Sequence, residues 1–298
     1  MTKVICNVDW GHNDFEVIPA TLTSYRKVMK KILVPTDFSV CADNAVQVAL
    51  EIASKFQAEI IFQHLYDDLS GSAHTLQGTA KQQELGHVKA MLDALVHKAE
   101  HAGLSARQLL VLNKGNDKIE NYIESLNIDL VVMGSHGATG IREKILGSQT
   151  QRVVRQSVAP VLVIKHKPER KGFKNMLFAT TFHENPEKVI EPVIKLASVY
   201  SGKVHLLYVG LEKDTQTKAE VEEKMQRLEQ KFSKAMFTRN FITTNDPEWG
   251  IQYVAKDVSP DAIALTTQLK VGRFMFTHSL AEDIVNHENR PVLVINPK

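Results

Sequence analysis

The chain has 298 residues, 43% hydrophobic and 23% charged, and its 36 Lys plus Arg against 34 Asp plus Glu give a formal net charge of +2. That length suits two ordinary globular domains, and the near-balanced charge argues against a general nucleic-acid or polybasic membrane binder. Cys6 and Cys41 stand far apart, in no metal-ligand or CxxC spacing, which argues against a disulfide framework and for a reducing, cytoplasmic setting.

No apolar run approaches the roughly 18 residues that span a bilayer, and Val4-Ile5-Cys6 is cut short by Asn7 and Asp9, unlike a signal peptide. Residues 1–28 contain Trp10, Gly11-His12-Asn13-Asp14 and Pro19 and sustain no period of 2 or 3.6. Two readings stand for them: an extension ahead of an original start at Met29, or an arm that packs on the domain.

From Lys31 apolar strands alternate with helical patterns. Lys31 to Thr36 reads as a buried strand, Ala45, Ala49, Ile52, Ala53 and Phe56 recur at helical spacing, and Ala58 to Tyr66 is the next strand. Asp67 to Ala80, polar with Gly71 and Gly78, is expected to be a mobile loop. A long helix carries Leu85, Val88, Leu92, Leu95 and Ala99 on one face and ends near Gly103. Arg107–Leu112, Asp129–Met133 and Pro160–Ile164 read as strands, with helices over Asn116–Leu126 and Thr150–Ser157. Five strands separated by helices imply an α/β fold with a parallel sheet, helices on both faces, and a ligand crevice at the strand carboxyl ends.

After a basic linker at 167–173 the chain repeats itself. A shift of 144 lays Lys31-Ile-Leu-Val-Pro-Thr-Asp-Phe38 on Asn175-Met-Leu-Phe-Ala-Thr-Thr-Phe182, and a shift of 131 lays Pro160-Val-Leu-Val-Ile164 on Pro291-Val-Leu-Val-Ile295. The long helix of the second copy is expected to present Val221, Met225, Leu228, Phe232 and Met236 on one face. The domain plan is therefore 1–28, a first domain over 29–166, the linker, and a second domain over 174–298, each domain five-stranded.

The stretch from Gly134 to Ser148 carries the chemistry. It follows a strand, has glycines at 134, 137, 140 and 147, and leads into a helix. Free backbone N–H groups and the helix dipole both favour an anion in such a place, and glycines let backbone approach a ligand closely. The plainer reading is that the glycines only shape a loop. The second copy keeps the same frame without them, which argues that a ligand rather than the fold needs them.

The first strand Lys-Ile-Leu-Val-Pro-Thr-Asp-Phe-Ser39, the spacing G-2x-G-9x-G-[ST] over Gly134, Gly137, Gly147 and Ser148, and the closing Ala-Pro-Val-Leu-Val-Ile164 together resemble the universal stress protein family in its tandem two-domain, Rossmann-like form. The resemblance implies an ATP-binding first domain. Pro35, Thr36 and Asp37 would border the adenosine, Leu65 would meet the base, and Met133 would pack nearby. Gly134, His136, Gly137, Gly147, Ser148, Gln149 and Thr150 would line the phosphates. Asp37 has a competing role as a helix cap or turn residue. Mg²⁺ would accompany ATP through its phosphates, with no protein ligand assigned.

The second copy departs from this pattern. Thr181 stands for Asp37, and a 132-residue shift puts Thr266 for Gly134, Leu269 for Gly137 and His278 for Gly147, with Ser148 kept as Ser279. The expectation is a degenerate domain that acts as a structural, pseudo-dimeric partner, the two fifth strands adjacent; a homodimer and a different ligand for its altered pocket remain alternatives.

Three functional readings compete: an ATP-binding stress-response or regulatory module with at most slow hydrolysis, an interaction scaffold with a vestigial site, and a nucleotide-dependent transferase. No Walker GxxxxGK[ST], SGGxDS or HxGH motif supports the last. No catalytic residue is assigned. His136 suits proton handling by type, yet a loop hydrogen-bonding role is the plainer reading. His97 and His101 have the spacing of a helical metal pair but no third ligand, and surface histidines are the plainer reading. Cys41 is read as a small buried side chain rather than a reactive thiol.

Overall fold

The computed structural model describes residues 29–67, 75–113, 117–136, 146–182, 186–212, 216–267 and 280–297. The loop glycines Gly137 and Gly140 and the second-copy residues Leu269, His278 and Ser279 lie outside them.

The first copy contains β1 (Lys31–Pro35), α1 (Val40–Phe56), β2 (Glu59–Asp67), α2 (Thr75–His101), β3 (Ala106–Asn113), α3 (Glu120–Ser125), β4 (Leu130–Gly134), α4 (Ser148–Gln156) and β5 (Val161–Ile164). Ile32, Leu33 and Val34 of β1 are wholly buried, as a central parallel strand covered on both faces requires. Ser39 caps α1 by accepting a hydrogen bond from the Ala42 amide at 3.2 Å. The buried stripe Ala45, Ala49, Ile52 and Ala53 then faces the sheet. Two departures from the sequence reading stand out. Helix α2 begins at Thr75, inside the stretch expected to be loop, and α3 begins only at Glu120 rather than Asn116, while Asn127, at φ 52°, turns the chain out of helical geometry close to the expected end.

The second copy contains β6 (Asn175–Thr180), α5 (Glu191–Val199), β7 (Lys203–Gly210), α6 (Lys218–Lys231), β8 (Met236–Thr243), α7 (Pro247–Val258), β9 (Ala262–Thr266), α8 (Leu280–His287) and β10 (Val292–Ile295). Val221, Met225 and Leu228 are buried on α6, but the helix closes at Phe232. Met236 therefore opens β8 rather than continuing the stripe, and is 53% exposed there. Its spacing of four from Phe232 was coincidence.

The described chain forms two compact units, residues 29–172 with 285–296, and residues 173–284. In the former the strands run β3-β2-β1-β4-β5-β10. All pair in parallel except β10, which lies antiparallel to β5 with Val292 opposite Val163 and Val294 opposite Val161. In the latter they run β9-β6-β7-β8, all parallel. The order reverses between β1 and β4 in the one and between β6 and β9 in the other, the switch point at which open α/β sheets leave a crevice.

Backbone details recur between the copies. Phe38 and Phe182 (φ 62° and 55°), Gln57 and Ser201 (55° and 53°), and Asn127 and Ser259 (52° and 45°) occupy the same left-handed corners. The Asp129 carboxylate accepts from the Lys30 and Lys31 amides at 2.7 and 3.0 Å, and that of Asp261 from the Asn175 amide at 2.8 Å. Each ties the opening of a first strand to the residue before a fourth.

Candidate functional site

At the switch point between β1 and β4 the carboxyl ends of three strands and the start of α4 enclose a cavity of about 370 Å³, within the usual range for small-ligand sites. Pro35, Thr36, Asp37, Leu65, Met133, Gly134, His136, Gly147, Ser148, Gln149 and Thr150 all line it. These are the residues singled out from sequence, apart from Gly137, which is not described. Ala42, Gln63, His64 and Ile119 also line it, and sequence reasoning had not picked them.

One side of the cavity is built by β4 and α4. The Gly147 amide donates to the Ser135 carbonyl at 2.8 Å and the Thr150 hydroxyl to the Gly134 carbonyl at 2.9 Å. Together they pin the helix start to the strand end. Gly147 is the N-cap and offers no side-chain acceptor, so backbone donors of the first turn stay available to an anion.

Gly134 has a second reason to be glycine. A Cβ there would lie 3.0 Å from the carbonyl carbon and Cβ of Cys41 and 3.1 Å from the Ala42 amide. The first turn of α1 presses against this strand end, so the argument that only a ligand needs the glycines fails at this position.

The opposite side is built by β1 and β2. The Thr36 amide donates to the Gln63 carbonyl at 2.8 Å, and His64 Nδ1 donates to the Thr36 carbonyl at 2.8 Å. The His64 ring stacks on Phe38 at 4.9 Å between centroids, and Phe38 sits in its left-handed corner. Asp37 is exposed and accepts from the Ser39 amide at 3.1 Å. It is thus a turn residue as well as a cavity residue, while the cap itself is Ser39.

His136 is held on both ring nitrogens. Nδ1 lies 2.8 Å from the Ser135 hydroxyl and Nε2 3.4 Å from Cys41 Sγ, which also donates to the Lys165 carbonyl at 3.4 Å. A histidine so engaged is ill placed to take a proton from a water or hydroxyl nucleophile. Burial raises the Cys41 pKa, so the thiol stays protonated and unreactive. Lys165, behind them, is buried with its pKa lowered by desolvation, and its ammonium donates to the Asn286 carbonyl.

The corresponding corner of the second copy is occupied by protein. The Gln216 side chain donates to the Thr181 carbonyl at 3.0 Å, and Lys224 donates to the Phe182 carbonyl at 2.9 Å and to Gln216. Thr181 and Thr266, standing for Asp37 and Gly134, are both buried. Elsewhere, His97 pairs with Glu100 at 3.2 Å on an exposed face. Among the described residues no cluster of three His, Cys, Asp or Glu is placed to hold a metal, and no helix is long and apolar enough to cross a membrane.

Comparison with known proteins agrees with this architecture. The model of the universal stress protein family matches residues 29–165. The universal stress protein MJ0577 of Methanocaldococcus jannaschii is 28% identical over 155 residues, covering 46% of this chain and 96% of that protein. The universal stress protein YxiE of Bacillus subtilis is 26% identical over 148 residues, covering 46% and 100%. Such relatives correspond to one copy of the repeat. The crystal structure of a universal stress protein from Archaeoglobus fulgidus superposes over 90% of this chain and 98% of its own, with a TM-score of 0.69 at 18% identity, a likeness of fold across both copies. Residues 29–165 belong to the universal stress protein family.

Proposed function

We propose that the protein binds ATP at the β1–β4 switch point and acts as a nucleotide-dependent regulatory module of a cytoplasmic stress response. The observation that carries this reading is the single cavity gathering Pro35, Thr36, Asp37 and Leu65 at one end and Gly134, Gly147, Ser148, Gln149 and Thr150 at the other. In this reading the first group borders adenosine. The second group, with Gly137, binds phosphate through backbone donors and hydroxyls, and Mg²⁺ rides on the phosphates. The engagement of both His136 nitrogens leaves that histidine ill placed as a general base, and in this reading hydrolysis is slow and the nucleotide serves as a signal more than a substrate. The second copy, with Thr181 and Thr266 at the corresponding positions and its corner bridged by Gln216 and Lys224, serves as a structural partner.

Mass spectrometry of the small molecule that co-purifies, followed by calorimetric titration with ATP, tests the reading. The wild type binds ATP, and Gly147→Val, which places a branched side chain at the cap of α4, loses most of that affinity. Absence of any ATP binding by the wild type refutes it and favours a scaffold with a vestigial site. Multiple turnovers to a product beyond ADP would favour a transferase.

A further inference from the structure

Gln63 is an anomaly in the wall of this cavity. It lies on β2 in register with Pro35 of β1, and in-register residues of parallel strands share a face, as do residues two apart along one strand. Its side chain therefore belongs to the face that carries Pro35 and Leu65, both of which line the cavity. The residue is 1% exposed, and neither polar atom of its amide has a hydrogen-bond partner among the described residues. A buried amide left unpaired is a cost that folded proteins seldom carry without a reason.

The second copy shows that the fold does not supply the reason. The pair Pro35–Gln63 corresponds to Ala179–Leu207, in the same parallel register, and Leu207 is wholly buried. Leucine serves the architecture at this position. The copy that keeps an open cavity has the amide, and the copy whose corner is bridged by its own side chains does not.

We propose that Gln63 is a specificity-determining residue that recognises the base of the bound nucleotide. Strand β2 lies two strands from β4 in the sheet, roughly 10 Å from the phosphate side at ordinary strand spacing, which is the base end of the cavity. A carboxamide offers a donor and an acceptor side by side. That pair complements the 6-amino group and the adjacent ring nitrogen of adenine, the pairing by which Gln and Asn read adenine elsewhere. The inference rests on the nucleotide reading above and adds to it the atoms by which adenine is distinguished.

The test titrates the full chain with ATP and with purine riboside triphosphate, which has the same sugar and phosphates but no 6-amino group. The wild type favours ATP by about tenfold or more, in line with what a two-bond base contact discriminates. Gln63→Leu lowers ATP affinity by a similar factor and leaves the analogue's within about twofold, while the ligand-free variant melts at or above the wild type. Unchanged ATP affinity in Gln63→Leu, equal loss of both ligands, or a variant that melts well below the wild type would each overturn the inference and leave ATP binding intact. Failure of the wild type to bind either triphosphate would instead overturn the nucleotide reading, and this inference with it.

Discussion

Replacing Gly134 by alanine probes the contact on which the cavity is built. The new Cβ would meet the Cys41 carbonyl carbon and Cβ at 3.0 Å and the Ala42 amide at 3.1 Å, about half an ångström inside a comfortable carbon contact. The obstacle is backbone in the first turn of α1, so relief requires the helix to move. Overpacking of this kind costs about 1–3 kcal/mol, offset by up to about 1 kcal/mol because alanine restricts the unfolded chain more than glycine does. The expected net loss is on the order of 1 kcal/mol, seen as a melting temperature lower by about 2–4 °C for a unit of this size. Because Ala42 and Gly134 both line the cavity, the same shift weakens ATP binding in calorimetry. A variant as stable as the wild type with unaltered ATP affinity would show that α1 does not press on the strand end, and would refute the reasoning.

Three further outcomes follow from other contacts. Asp129→Ala removes the carboxylate that accepts from the Lys30 and Lys31 amides and lowers the unfolding free energy by about 1–2 kcal/mol, read as a lower denaturant midpoint; a neutral effect would show that the tie contributes nothing. Thr217→Ala breaks the capping box with Glu220 at the start of α6 and costs about 1 kcal/mol, read from the unfolding of residues 173–284. Burial, and secondarily the Lys203 charge, push the His205 pKa from 6.5 down to about 4, and its Nε2 has no partner among the described residues. Between those values the unfolded chain binds the extra proton, so stability is lost as pH falls from about 6.5 toward 4, by on the order of 1 kcal/mol at pH 5. Urea unfolding at pH 7 and 5 should show that loss in the wild type and a smaller one in His205→Gln; equal losses would contradict the assignment.

The repeat and its alternating elements were legible because buried parallel strands print as apolar runs such as Ile32-Leu33-Val34 and Val161-Leu162-Val163, and because Leu92 and Ala99 keep helical spacing where they are buried. What pattern could not supply was the end of a periodicity: Met236 extends the α6 stripe in sequence yet belongs to a strand. The glycine motif located the cavity but overstated its own meaning, since Gly134 is also required by the approach of α1, a contact made by residues nearly a hundred positions away. Gln63 and His64 were missed for a related reason. A polar pair inside Ile-Ile-Phe-Gln-His-Leu reads as a solvated interruption, and only the register with Pro35 and the Thr36 carbonyl's bond to His64 place it at the site. A signal was nonetheless available in the repeat, because the same shift of 144 sets Gln63 against Leu207.

The central claim, one nucleotide site formed by the first copy alone, is tested most directly by equilibrium dialysis of the full chain against labelled ATP. Saturation at one ATP per chain is expected. Saturation at two per chain, or no saturable binding, would contradict it.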